Sequence, residues 1–431
     1  MIVLVVVPDY VSHWYPLSAT ASALRARGHR VVVATGRTLA PLVAADGYRH
    51  VELTLGSGSN GGAPAEIDRE LAAFFAATHQ GMIATLRYQA ERRAHDLLWD
   101  PEAVAERLRA VVASVAPDTV LVDQLAFGAT AALRGLGVPF FSFLPGHPCQ
   151  LPSRGEPFGY PELRPPEFRA SAAHLLALKQ LCADVSASFT ASYNAVTTSL
   201  DPTVPPLDDA FAAGGTLGTL INYPWQFGAA PRRLPHARFL GSCVREEVFP
   251  TPRERLARTP RAQPRAYVSF GSFLSLRTDV LIRIADALRI LGWDAVIAAG
   301  ATDPRRLDPV PSSWVVEAHL PQVSALAACD IVVCHGGNNT VTEALTAGLP
   351  VLAAPFSTDQ FAGAEDLRRA GLGDAIDPNA ATADEIAAGL ASLIDGTATR
   401  TAASLGAELR AAPGAEDAAD VLEGAKWSAA A

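Results

Sequence analysis

The chain has no surplus of positive charge: 35 Lys and Arg stand against 44 Asp and Glu, a formal net charge of −9. That balance excludes the basic footprint of a nucleic-acid binder, and short runs such as Arg232-Arg233 and Arg305-Arg306 read as solvated surface. Nor is there an apolar stretch near the ~18 residues of a membrane span, so no membrane insertion is expected. Met1–Val7 is strongly apolar, but it lacks a basic leader and breaks at Pro8-Asp9 before any small-residue cleavage site. It reads as a buried first strand. The five cysteines (Cys149, Cys182, Cys243, Cys329, Cys334) form no C-x-x-C pair and sit mostly in apolar segments, the pattern of reduced thiols in a cytoplasmic protein. Asn338-Asn339-Thr340 is formally a glycosylation acceptor and carries no weight in such a chain. No D-x-D occurs, and Asp208-Asp209 and Glu246-Glu247 fall in segments that read as surface. Carboxylates holding a diphosphate-bound Mg²⁺ are therefore not expected, and no metal site is assigned.

What is present is globular. A hydrophobic share of 49% against 18% charged excludes disorder, and 431 residues predict two domains of roughly 200 residues each. Met1–Val7, a helix near Leu17–Arg27 stopping at Gly28, and Arg30–Ala34 form a βαβ unit. The pattern returns at Thr119–Val122, a helix near Gly128–Leu136 and Pro139–Phe143, with helical stretches about Ala65–Tyr88 and Pro101–Ala116 between. A second series opens at Ala266–Phe270. It runs through a helix near Asp279–Leu291, strands Asp294–Ala299, Trp314–Glu317 and Ile331–Cys334, a helix near Thr340–Ala347 and strand Pro350–Ala354.

The fold class is thus α/β, two Rossmann-like domains facing across a cleft. Residues 1–225 form the first domain and 265–431 the second. Residues 226–264, rich in Pro and Arg, are the linker region, and the last helix is free to pack back on the first domain. Ligands of such sheets lie beyond the carboxyl ends of the strands. Gly56-Ser-Gly-Ser-Asn-Gly61 satisfies the dinucleotide fingerprint G-x-G-x-x-G. It does not sit at the first strand-to-helix turn and runs into Gly62-Ala63-Pro64, so it reads as a loop.

The most informative stretch is His319 to Gln360. Strand Ile331–Cys334 leads into His335-Gly336-Gly337-Asn338-Asn339 and then a helix. A helix N-terminus behind a glycine turn receives phosphate, because unpaired N–H groups and the helix dipole favour negative charge. Thr340 is placed to cap that helix and offer a hydroxyl, and His335 to donate to a diphosphate as charge develops. The order His335-Gly-Gly-Asn-Asn-Thr340-Val-Thr-Glu343, Gly348-Leu-Pro350 and Pro355-Phe-Ser-Thr-Asp359-Gln360 resembles the donor signature of family 1 (UGT-type) glycosyltransferases. These have the GT-B fold, and the bacterial branch that decorates natural products is the most similar.

The resemblance implies that His335, Gly336, Gly337, Asn339 and Thr340 surround the diphosphate and that Glu343 binds the ribose. It gives Asp359 and Gln360 the sugar hydroxyls and Gln322 the uracil or thymine edge. Where relatives have a base-stacking Trp, this chain has His319, and Ser357 replaces a second Trp, which leaves base and sugar open: a UDP- or TDP-sugar, with no further cofactor. Gly271-Ser272, after Ser269-Phe270, resembles the family's Gly-Ser turn facing the phosphates.

Displacement at an anomeric carbon needs a base for the acceptor hydroxyl, and His suits that task near neutral pH. His13, in the loop after the first strand, stands out among ten histidines, and Ser12-His13-Trp14-Tyr15-Pro16 resembles the family's His-x-x-Pro loop. A carboxylate should orient it. Asp123, ending a buried strand, matches the partner position by resemblance, whereas Asp9 and Asp118 do not; read alone, Asp123 caps a turn. Direct attack predicts inversion. The acceptor is expected to be a small, largely apolar molecule held by the first domain, with Phe74, Phe75, Phe143 and His147 as candidates among aromatics that also suit a core. Trp314 reads as core. Two other readings are a nucleotide-sugar epimerase of the same fold, which leaves the His13–Asp123 pair without its job, and a non-catalytic glycosyltransferase partner protein. The chain would act as a monomer or homodimer.

Overall fold

The computed structural model describes residues 1–56, 64–153, 155–227, 234, 237–247, 263–357 and 359–424, side chains of 64–68, 94–96 and 272 excepted. The first sheet contains β1 (Ile2–Val6), β2 (Arg30–Thr35), β3 (Arg49–Glu52), β4 (Thr119–Asp123), β5 (Phe141–Leu144), β6 (Gly218–Ile221) and β7 (Ala237–Phe239). They lie in the order β3-β2-β1-β4-β5-β6-β7, every pair parallel. The second contains β8 (Arg265–Ser269), β9 (Asp294–Ala298), β10 (Val315–Glu317), β11 (Ile331–Cys334), β12 (Val351–Ala353) and β13 (Gly373–Ala375). Its order is β10-β9-β8-β11-β12-β13, again all parallel. Helices cover both faces, so central strands are apolar on both sides: β4, β8 and β11 are buried along their whole length.

Each sheet is wound outward from its first strand and then resumed on that strand's other side. This creates a switch point between β1 and β4, where Val6 faces Val122, and another between β8 and β11, where Ser269 faces Cys334.

Several elements depart from expectation. The first helix starts at Val11, not near Leu17, and carries Pro16 inside it. The helical stretch 65–88 is two helices, Pro64–Gln80 and Met82–Asp96, because Gly81 between them takes φ +98 and caps the second. Strand β7 falls inside the stretch read as linker, of which 228–233, 235, 236 and 248–262 lie outside the described residues. Residues 57–61 of the glycine-rich decoy lie outside them too.

The helix Gly414–Gly424 packs against the helix Val11–Ala26. Ala418, Ala419 and Leu422 share one buried cluster with Trp14, Leu17 and Leu24, and Arg27 pairs with Glu416, Asp420 and Glu423 at its rim. All five cysteines are free thiols; Cys149 is exposed and the other four are buried. Among the described residues no helix is long and apolar enough to cross a membrane.

Candidate active site

At the first switch point β4 ends on Asp123, and the helix after β1 carries His13 in its first turn, not in a loop. Residues 110 apart in the chain thus meet, with His13 Nδ1 2.8 Å from Asp123 Oδ2. A carboxylate only accepts, so Nδ1 donates and Nε2 is the basic nitrogen. The Asp123 side chain is 0% exposed and that of His13 18%, so the ring is reachable while its partner is not. Asp123 Oδ1 accepts from the N–H of Leu125 at 2.9 Å, so the same carboxylate holds the turn and the imidazole. Burial lowers the proton affinity of His13. The charge and hydrogen bond of Asp123, joined by the charge of Asp359, outweigh it, and the pKa rises above the ordinary 6.5. Asp9 and Asp118 are structural: Asp9 accepts from the N–H groups of Thr38 and Leu39, and Asp118 from that of Ile2.

At the second switch point β11 runs into His335, Gly336 and Gly337 and then the helix Asn338–Ala347. Gly336 takes φ +80, which glycine permits, and a Cβ on Gly337 would fall against the His335 ring, so glycine there leaves room for the imidazole. The helix cap is Gly337, so Thr340 does not cap it; Thr340 is buried in the first turn and receives Gln322 Nε2 at 3.4 Å. Burial, partly opposed by the Ser269 backbone and the charge of Asp359, lowers the His335 pKa to about 4. The ring is neutral at pH 7 and offers one N–H. Gly271, at φ +68, opens the turn after β8 and lies against the same ring; Ser272 follows, its side chain outside the described set.

Glu343 is buried on the Asn338 helix. Its Oε1 accepts from Arg245 Nη1 at 3.0 Å and its Oε2 from Gln322 Nε2 at 2.6 Å, while Tyr267 O–H donates to Gln322 Oε1 at 3.1 Å. Arg245 also pairs with Glu247, and its guanidinium lies 3.5 Å over the ring of Tyr15, two residues beyond His13. Glu247 is therefore buried at its side chain, contrary to the surface reading of Glu246-Glu247. Burial raises the pKa of Glu343 above the ordinary carboxylate value, although Arg245 and Gln322 oppose it. His319 is exposed in the loop after β10.

Asp359 stands at the N-cap position of the helix Gln360–Arg369 without a side-chain capping bond, and its Oδ2 accepts from the N–H of His147 at 2.8 Å. Gln360 Oε1 accepts from the N–H groups of Phe356 and Ser357, at 3.0 and 3.1 Å, and holds that turn. His147 Nδ1 accepts from the N–H of Cys149, which leaves Nε2–H to donate to Asp366 Oδ2 at 3.0 Å; Tyr223 O–H reaches the same oxygen at 2.7 Å. Asn338, unassigned in the sequence reading, donates from Nδ2 to the carbonyls of Pro145 and Asn222, each at 2.7 Å. Asn339 Nδ2 donates to the carbonyl of Ser12. The glycine turn thus fastens to the first domain through both asparagines.

Of the four acceptor candidates, only His147 lines the pocket beside Asp359, together with Arg93, Phe158, Tyr160 and Asp366. Phe143 lies instead in the core, because all four residues of β5 are buried between helices. Phe74 and Phe75 pack on Phe273 of the second domain, ring centroids 5.1 and 5.3 Å apart, and fill the domain contact. Trp314 is core, donating to the carbonyl of Trp293 at 2.9 Å. Arg93 and Arg245 were missed because an isolated arginine in a helix or a Pro-rich segment has no pattern to mark it.

Two parallel switch points facing across one cleft, a buried Asp–His pair at one and a glycine turn ahead of a helix at the other, define a GT-B glycosyltransferase. Residues 2–405 match the model described as UDP-glucoronosyl and UDP-glucosyl transferase, and the chain belongs to that family. The zeaxanthin glucosyltransferase of Pseudescherichia vulneris is 27% identical over 404 residues, 89% of this chain and 88% of that protein. The glycosyltransferase of kitacinnamycin has the same fold at a TM-score of 0.71 and 24% identity, covering 98% of both chains. The spinosyn rhamnosyltransferase SpnG, complexed with thymidine diphosphate, superposes at 0.65 and 20% identity over 98% of this chain and 100% of that one.

Proposed function

We propose that the chain moves a sugar from a UDP- or TDP-sugar to a hydroxyl of a small, largely apolar natural product, with inversion and without a metal. The observation that carries this reading is the His13–Asp123 pair, 2.8 Å apart, held against the donor turn by the Asn339–Ser12 bond. In the proposed step His13 Nε2 takes the acceptor proton as the oxygen attacks the anomeric carbon, and Asp123 stabilises the imidazolium that forms. The bond from that carbon to the diphosphate breaks on the opposite side. The departing charge is received by the neutral His335 N–H, Thr340 and the N–H groups opening the Asn338 helix, so no cation is required.

Glu343 and Gln322 would hold the nucleoside, and Asp359 and Gln360 the sugar hydroxyls, a pairing that rejects donors lacking them. Support for the acceptor class comes from the relatives, which act on zeaxanthin or carry the names of kitacinnamycin and spinosyn.

The test is nucleotide release from UDP-glucose and TDP-glucose with mixed phenolic and macrolide acceptors, with and without EDTA, for the wild type and His13→Ala. Acceptor-dependent release that survives EDTA and falls by ~10²-fold or more in the variant is expected. Release abolished by EDTA would overturn the metal-free route, and release indifferent to His13→Ala would remove the base.

A further inference from the structure

The pocket beside Asp359 is a cleft open to solvent, formed by residues 147–153 and 156–163 of the first domain, the helix Met82–Asp96 and the helix Gln360–Arg369. Among the described lining residues the basic groups are His147, which Asp366 holds, and Arg93, whose surroundings are unusual. The Arg93 Nη1 is buried without a hydrogen-bond partner among the described residues, and the guanidinium lies over the ring of Phe158, 5.0 Å from Cζ to the centroid. The surroundings are shaped to admit it: Gly159 takes φ +85, and a Cβ there would fall 2.1 Å from Nη1.

Carboxylates line the same pocket; none hydrogen-bonds Arg93 Nη1, although the charge of Asp359 reaches the guanidinium. Glu162 pairs with Lys179, and Glu156 accepts from the N–H of Ser153. Asp359 accepts from the N–H of His147, and Asp366 from His147 and Tyr223. A guanidinium nitrogen buried without a hydrogen-bond partner is costly, and a planar cation lying on an aromatic face keeps its edge for a flat, two-oxygen acceptor.

Taking the proposed transfer reaction as given, we propose that the acceptor carries a carboxylate which Arg93 binds, with the reacting hydroxyl at the other end of an apolar frame. The geometry fits such an occupant from both ends. Asp359, on the pocket wall, puts its charge on both His13 and Arg93, so one wall residue lies between the base and the guanidinium, which sits on the first-domain side with Phe158 and Tyr160. A hydroxylated aryl carboxylic acid matches this charge and shape.

The experiment measures binding before chemistry. Hydroxybenzoic, hydroxycinnamic and hydroxynaphthoic acids and their methyl esters are titrated against wild type and Arg93→Gln with UDP present. Glycosyl transfer to the same compounds is measured separately. At least one acid should bind the wild type ten times or more tighter than its ester, and the preference should shrink to within about twofold in Arg93→Gln. UDP affinity of the variant, unchanged, reports an intact fold and donor site. Equal binding of acids and esters, a preference that survives in Arg93→Gln, or no binding of any compound overturns the proposal. An acid preference without sugar transfer would leave the carboxylate site standing and remove the glycosyl-acceptor reading, so the two failures are distinct.

Discussion

The side-chain amide of Asn339 donates to the carbonyl of Ser12, and that carbonyl is available because Pro16, four residues on, has no N–H to give it. A proline inside the base-bearing helix thereby leaves an acceptor that the donor-binding domain fills. Pro16→Ala restores the intrahelical donor. It should rescue much of the stability lost in Asn339→Ala, a loss of about 0.5–1.5 kcal/mol. Urea unfolding of the two single variants and the double variant checks this, and strictly additive changes would refute the coupling.

Asp123→Asn tests the base through pH. His13 must be neutral to accept a proton, so kcat should fall as pH drops through a pKa above 6.5. Removing the Asp123 charge lets burial prevail and lowers that pKa. The acid limb of the rate profile should therefore move to lower pH, while the plateau drops by ~10²-fold or more because the imidazolium is no longer stabilised. A profile between pH 5 and 9 with an unmoved midpoint would contradict the assignment.

Arg245→Met strands the buried carboxylates of Glu343 and Glu247. Breaking a buried pair in this way costs about 3–5 kcal/mol. The folded-state pKa of Glu343 is already raised and rises further without Arg245, so the loss is fully present well above it and recedes as pH falls and the carboxyl takes a proton. Urea unfolding at pH 7.5 and pH 5 should show the larger deficit at pH 7.5.

Gly337→Ala places a Cβ where His335 Nε2 now lies and forces the ring out of the turn. A displacement of this size should lower kcat/KM for the nucleotide sugar by about 10²-fold with the circular dichroism spectrum unchanged. Calorimetric titration with UDP separates a binding effect from a catalytic one.

Buried strands were legible because a parallel sheet covered on both faces demands unbroken apolar runs; Ile331–Cys334 matches residue for residue. The pairing of His13 with Asp123 was legible only through the family resemblance; the strand order that brings β1 and β4 together at the switch point is seen in the structure alone. Local backbone was harder. Pro16 masked the start of a helix whose missing bond is supplied from another domain, and Gly81 split a periodic stretch that an amphipathic pattern alone keeps whole. Strand β7 has only three residues, and β6 opens on Gly218-Thr219, so neither shows the unbroken apolar run that marks β11. Phe143 and His147 are four residues apart, yet one fills the core and the other the pocket, because the strand ends at Leu144 between them.

The last helix, Gly414–Gly424, completes the core that begins with Trp14 and Leu17. During synthesis the half that leaves the ribosome first is finished last. The whole second sheet must be translated before Leu422 can cover those side chains, a delay of about ten to thirty seconds at roughly 5–20 residues per second. Through that interval the nascent chain exposes an apolar seam on its base-bearing helix, the surface on which chaperones would act and the one that a prematurely terminated chain could never close.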